Sequence, residues 1–137
     1  METMETIILK NLIQNEDYTR RVVPFLDEEY FKDRNERTVY TLIRDHIHKY
    51  NRSPNRDALI IALDDRGGMT EQSYKDTSII IKSITDTIDP VDNEWLMDQT
   101  EKFCKDKAVY NAILRSIEII DGKSKNETKN AIPNILS

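Results

Sequence analysis

Apolar residues recur along most of this chain at steps of three and four, the spacing of one helical face rather than the alternation of a strand. Ile7, Ile8, Leu9, Leu12 and Ile13 mark a short first helix, which ends where Asn15-Glu16-Asp17 breaks the pattern. A second short helix from about Asp17 carries Tyr18, Val22 and Val23, and Pro24 ends it by clashing with helical geometry. Asp27-Glu28-Glu29-Tyr30-Phe31 reads as a single turn closing on an aromatic pair. A third helix opens on a capping box, Asp33 with Glu36, and continues through Val39, Leu42, Ile43, Ile47 and Tyr50. Ser53-Pro54 predicts the start of a fourth, with Ser as cap and Pro at the first position. It carries Ala58, Leu59, Ala62 and Leu63 and stops at Gly67-Gly68. A fifth begins at Thr70, where Met69 and Tyr74 are placed to form a hydrophobic staple, and runs through Ile81 and Ile84 towards Ile88. Ile79-Ile80-Ile81 alone looks strand-like, and helical spacing on both sides outvotes it.

The stretch from Asp89 to Gly122 predicts one helix of roughly thirty residues, at least twice the usual length. Asp89 is the expected cap, Pro90 the first helical residue and Gly122 the left-handed stop. From Asp92 to Lys107 charges dominate; from Ala108 to Ile120 nine of thirteen residues are apolar. At about 100° per residue, Val109, Tyr110, Ile113, Leu114, Ile117 and Ile120 share one broad arc. Ala108, Ala112 and Ile119 form a narrower second strip. One supporting layer needs only one stripe. The second strip therefore meets either a further surface or a later segment of the same chain. Lys123 to Lys129 is polar and basic, and the pattern resumes at Ala131-Ile132-Pro133-Asn134-Ile135-Leu136 with no room to complete a helix, which reads as a cut.

The fold class expected is all-α: a compact bundle of about five short helices over residues 1–88, then a long helix and the start of a truncated second arm over 89–137. With 33% charged and 38% hydrophobic residues the chain suits a soluble, charged helical domain, and 3 glycines leave few tight turns for a sheet. No apolar run reaches the roughly 20 residues that span a bilayer. Cys104 is the sole cysteine, which excludes an internal disulfide and fits a reducing, cytoplasmic setting. With 20 basic residues against 25 acidic, the formal charge of −5 argues against gripping nucleic acid by broad charge neutralisation.

Catalytic and metal-binding patterns are missing from the sequence. There is no G-x-x-x-x-G-K-[ST], G-x-S-x-G, H-E-x-x-H or C-x-x-C. His46 and His48, two apart on a helix, point to nearly opposite sides and cannot share a metal. His46 falls among Val39, Ile43 and Tyr50 and reads as a core or interface histidine; His48 reads as solvated. Cys104 reads as a buried or half-buried structural thiol. The carboxylate clusters Asp64-Asp65 and Asp27-Glu28-Glu29 lie at helix ends. Arg20-Arg21 and the lysines at 123, 125 and 129 are read as solvated charge rather than phosphate contacts. No catalytic, cofactor-binding or metal residue is assigned.

The order and residue types of these elements resemble the N-terminal domain of DnaB-family hexameric replicative helicases, most closely in the form found in T-even-type tailed phages. Ile7-Ile8-Leu9-Lys10-Asn11-Leu12-Ile13 resembles the family's first helix. Val23-Pro24-Phe25-Leu26-Asp27-Glu28-Glu29-Tyr30-Phe31 is similar to its acidic-aromatic turn, and Val39-Tyr40-Thr41-Leu42-Ile43 and Ser53-Pro54-Asn55-Arg56-Asp57-Ala58-Leu59 to its next two elements. Trp95-Leu96, Thr100-Glu101-Lys102, Lys107-Ala108-Val109 and Ile113 resemble the first hairpin arm, with Asn111 where bacterial members tend to carry a basic residue. Ala131-Ile132-Pro133 is similar to the phage form of the second arm's start.

The resemblance implies a head and helical hairpin that pair into a collar above a ring of ATPase motors and help engage primase and, in some systems, a loading factor. The interface residues expected are Val109, Tyr110, Ile113, Leu114, Ile117 and Ile120. The chain has no motor, so ATP and Mg belong to the missing domain, as does most DNA contact. It looks like a fragment, or a separately made head, of an ATP-dependent helicase in a host cytoplasm, and not an enzyme by itself. The alternative is a small helical DNA-binding regulator, which would need a dense basic face on one helix.

Overall fold

The computed structural model describes residues 2–122. Six α-helices account for most of them: α1 (Met4–Gln14), α2 (Glu16–Val22), α3 (Arg34–Tyr50), α4 (Arg56–Arg66), α5 (Glu71–Asp86) and α6 (Asn93–Asp121). Two 3-10 turns, Val23–Phe25 and Glu28–Tyr30, join α2 to α3. No strand occurs among the described residues, and Ile79–Ile81 lie inside α5, so the all-α expectation holds. The second-arm residues Ala131–Leu136 and the lysines at 123, 125 and 129 lie outside the described residues.

Each helix starts where a short polar side chain accepts an orphan amide of the first turn. Thr3 accepts from Thr6, Asn15 from Tyr18 and Asp33 from Glu36. Thr70 opens α5 by accepting from Ser73, as the sequence predicts. Two predicted caps give way to tertiary partners. Asn55 rather than Ser53 caps α4, accepting from Ala58 at 2.8 Å, because the Ser53 hydroxyl donates instead to the Leu12 carbonyl at 2.7 Å. Asp92 rather than Asp89 caps α6, accepting from the Trp95 amide at 3.0 Å, so Pro90 precedes the helix. The stop falls where expected: Gly122 takes φ +69° and donates to the Ile119 carbonyl at 3.2 Å.

The chain divides into two compact units, Met1–Cys104 and Lys105–Ser137. The first unit holds the whole buried core and extends past residue 88. Ile8, Leu9 and Leu12 of α1 meet Tyr18 and Val22 of α2, Val39, Tyr40 and Ile43 of α3, Leu59 and Leu63 of α4, and Ile81 and Ile84 of α5. Leu96, Thr100 and Phe103 bring the opening turns of α6 into the same core. Phe31 stacks on Tyr40 with ring centroids 4.8 Å apart, and Phe103 approaches Phe31 at 6.1 Å.

Polar ties lock α6 to α1 and α2 within this unit. The Lys10 ammonium, on a residue only 6% exposed, donates to Glu2 at 2.8 Å and Asp89 at 2.9 Å. Gln14 both donates to the Asp89 carbonyl and accepts from the Asp89 amide, and Asn15 donates to Asn93 at 2.7 Å. Deeper in, the Tyr18 and Thr100 hydroxyls share a hydrogen bond of 2.7 Å. Burial pushes the Tyr18 phenol well above its usual range.

Two tests follow from these ties. Thr100→Val leaves the buried Tyr18 hydroxyl without a partner and should cost about 1–3 kcal/mol by urea unfolding, whereas adding Tyr18→Phe should recover part of that loss. Strictly additive losses would mean that the two hydroxyls do not interact. Lys10→Met should cost about 1–2 kcal/mol at neutral pH. The hydrogen bonds to Asp89 and Glu2 raise the Lys10 pKa above its ordinary 10.5. Its contribution is therefore complete below about pH 10.5 and lost as pH rises through the higher folded value. The stability gap between wild type and variant should close in alkaline urea titrations; a gap unchanged there would refute the paired ammonium.

Candidate functional site

Within Lys105–Gly122 the backbone is one uninterrupted helix, since the sequence places neither Gly nor Pro between Pro90 and Gly122. A straight helix brings residues three, four and seven apart onto one side. Val109, Tyr110, Ile113, Leu114, Ile117 and Ile120 therefore line a continuous arc, and every one is exposed in this chain. Ile113 is 52% and Ile120 76% exposed, against 0–2% for the isoleucines at 8, 43, 81 and 84 in the first unit. Of the second strip, Ala108 and Ala112 are exposed and Ile119 is partly covered. Six large apolar side chains on about three turns form a surface patch of the kind that marks an interaction site.

The residues singled out for chemistry lie apart from one another. His46 is half-buried, with its ring 4.7 Å from that of Tyr50, and burial lowers its pKa; His48 is exposed. Cys104 is half-buried beside Phe103, and burial pushes its thiol up to about 11. That is the opposite of what a nucleophile needs. Asp64 accepts a hydrogen bond from the Tyr74 hydroxyl, which ties α4 to α5. Among the described residues no group of three or more His, Cys, Asp or Glu is placed to hold a metal.

One basic cluster escaped the sequence reading. Arg34, Arg37 and Arg66 line a single cavity of the first unit, although Arg66 is far from the others in sequence. A signal was present. Arg34 and Arg37 stand three apart in the opening turns of α3, where the helix dipole disfavours cations.

Fold and surface together define the class, an all-helical domain whose conspicuous exposed chemistry is apolar contact. No family model matches the chain. It is similar to a DnaB-like replicative helicase of Enterobacteria phage T4, 34% identical over 116 residues. The match covers 85% of this chain but spans only 24% of that protein, a share consistent with an N-terminal domain. The resemblance read from the sequence is thereby borne out, and the chain is related to a replication helicase. No described helix is long and apolar enough to cross a membrane.

Cys104 offers a local probe of the inner turns of α6. At pH 8 a thiol with a pKa of about 11 carries on the order of 10² fewer thiolates than an ordinary cysteine at about 8.5. Disulfide-exchange labelling should be slower by at least about tenfold in the native chain, the scarcer thiolate being partly offset by its greater nucleophilicity, and ordinary in urea. Labelling at the free-cysteine rate without denaturant would show that this face of α6 is not packed.

Proposed function

We propose that this chain is the N-terminal oligomerisation and partner-docking domain of a phage replicative helicase, its long helix pairing with the same helix of a second copy. The observation that carries the reading is the exposed apolar arc from Val109 to Ile120. Six such side chains left in water forfeit several kcal/mol of burial, at about 1.5–3 kcal/mol for each side chain fully covered. An identical helix recovers that burial by isologous packing, in which each copy presents the same ridge to the other. Similarity to about a quarter of a replicative helicase supports an accessory domain rather than a complete motor.

The remaining parts of the role rest on the family resemblance. In the full protein such pairs build the collar of a hexamer and engage primase, with a loading factor in some systems. ATP and Mg are bound by the motor, and the phosphate-binding loop that would do so is missing from this sequence. The chain itself then acts by assembly rather than by catalysis. A small DNA-binding regulator draws no support from a chain with an excess of acidic residues.

Self-association is the direct test. Sedimentation of the wild type should show a concentration-dependent dimer or larger species, and Ile113→Glu should weaken it by at least about tenfold. The substituted residue is exposed, so circular dichroism should report an unchanged fold. A wild type that stays monomeric at millimolar concentration would count decisively against the assembly role.

A further inference from the structure

The first unit contains a cavity of about 630 Å³ between the opening turns of α3 and the loop from α4 into α5. Its charged lining is lopsided: the guanidiniums of Arg34, Arg37 and Arg66 face the single carboxylate of Glu28. None of these arginines forms an ion pair with a described residue. Elsewhere the chain pairs its arginines readily: Arg20 with Glu16, Arg21 with Asp17, Arg44 with Asp45 and Arg56 with Asp86. In a sequence with more carboxylates than cations, three unpaired guanidiniums in one concavity are a local reversal of charge.

The site is also built. Arg37 is anchored by donating its Nε–H to the Phe31 carbonyl at 3.1 Å, which leaves the terminal nitrogens available. Ser73, at the start of α5, donates to Asn35 of α3 at 2.9 Å and so clamps the two walls together. The N-terminus of α5, entered through Thr70, adds the positive end of a helix dipole to the lining. Met69, half-buried, contributes an apolar contact.

We infer that this cavity is a docking site for a short acidic segment of a partner protein, its carboxylates held by Arg34, Arg37 and Arg66 and an aliphatic side chain resting on Met69. The forked guanidinium matches a carboxylate with two parallel hydrogen bonds. The volume lies in the range that encloses a few side chains. Its surroundings favour a peptide over a nucleic acid. Asp27, Glu29, Asp33, Asp65 and Glu71 are chain neighbours of lining residues, and a cavity embedded in so acidic a stretch of sequence disfavours a long polyanion. A compact motif that ends inside the concavity is not so disfavoured. This site is separate from the apolar arc of α6, so it stands or falls independently of the assembly role.

The test uses the full chain and a short fluorescein-labelled peptide alternating glutamate with leucine, read by fluorescence anisotropy, with a thymidine homo-oligonucleotide as competitor. Arg34→Gln combined with Arg66→Gln should weaken peptide binding by at least about tenfold, the loss expected for charge-assisted pairs. Arg20→Gln with Arg21→Gln, at arginines already paired, should leave it unchanged, as should Ile113→Glu. All these positions are exposed, and circular dichroism confirms that each variant is folded. Peptide affinity unchanged in the Arg34/Arg66 variant would overturn the proposal, as would no detectable peptide binding to the wild type. An oligonucleotide that displaces the peptide and depends on the same arginines would overturn it in favour of a nucleic-acid site.

Discussion

Asp89 is gripped from three directions by α1: Lys10 bonds its carboxylate, and Gln14 bonds both its carbonyl and its amide. This clasp decides where α6 begins. Lys10 and Gln14 hold the side chain and backbone of Asp89 against α1, and the cap falls three residues on, at Asp92. From that start the helical period carries Leu96, Thr100 and Phe103 to one side, and all three are buried in the core of the first unit. A start displaced by one residue would rotate the helix by about 100° and aim charged neighbours such as Glu101 at that core. Burying an ammonium is costly. Here two partly exposed carboxylates offset the cost, and the return is a fixed phase for the longest helix of the chain.

That helix obeys two different solvent rules along its length. In its leading turns the apolar positions are few: Leu96 and Phe103 are buried, Met97 and Cys104 half-buried and Trp95 exposed, while most other positions carry charge. In the trailing turns apolar residues occupy most positions, and all but the partly covered Ile119 are exposed. Intrinsic propensity favours the leading half, with its Glu, Lys, Leu, Met and Gln, more than the trailing half, where isoleucine dominates. The fully buried side chains of this helix among the described residues, Leu96, Thr100 and Phe103, all lie in the first half. Of the nine apolar residues among the thirteen from Ala108 to Ile120, six are large side chains left exposed, which is the observation that supports the assembly role proposed above.

The helical order, most of the apolar faces of the first five helices and the glycine stops were legible because they are local; Tyr50 and Ile88, placed on those faces, are instead exposed, and Ile88 lies beyond the end of α5. Periodicity, Thr70 before Glu71 and Gly122 after Asp121 are decided within a few residues. The two misplaced starts share one cause. Ser53 and Asp89 each have good capping chemistry, but each is taken by a partner on α1, the Leu12 carbonyl for one and Lys10 for the other. Nothing within four residues announces such competition. The arc from Val109 to Ile120 was legible as a pattern, and the structure adds that all six side chains are exposed. The buried pair of Tyr18 and Thr100 was not legible, since its members lie 82 residues apart.

Charge was the property that the sequence described least well, because a net value averages over the surface that a partner meets. A balance of −5 excludes a broad cationic face. It says nothing about how cations distribute once i,i+4 partners are assigned. Arg20 and Arg21 look like an exposed basic pair, yet each is matched by a carboxylate one turn earlier on α2. Arg34 and Arg37 sit in a region just as acidic and find no such partner, because Asp33 is turned to the Glu36 amide and Glu28 accepts a hydrogen bond from Thr41. Capping, which fixes the helix start, orients one of the nearby carboxylates towards the backbone amides of α3 rather than towards an arginine. The same rule that places the helices thus leaves positive charge at one particular hollow of an acidic domain.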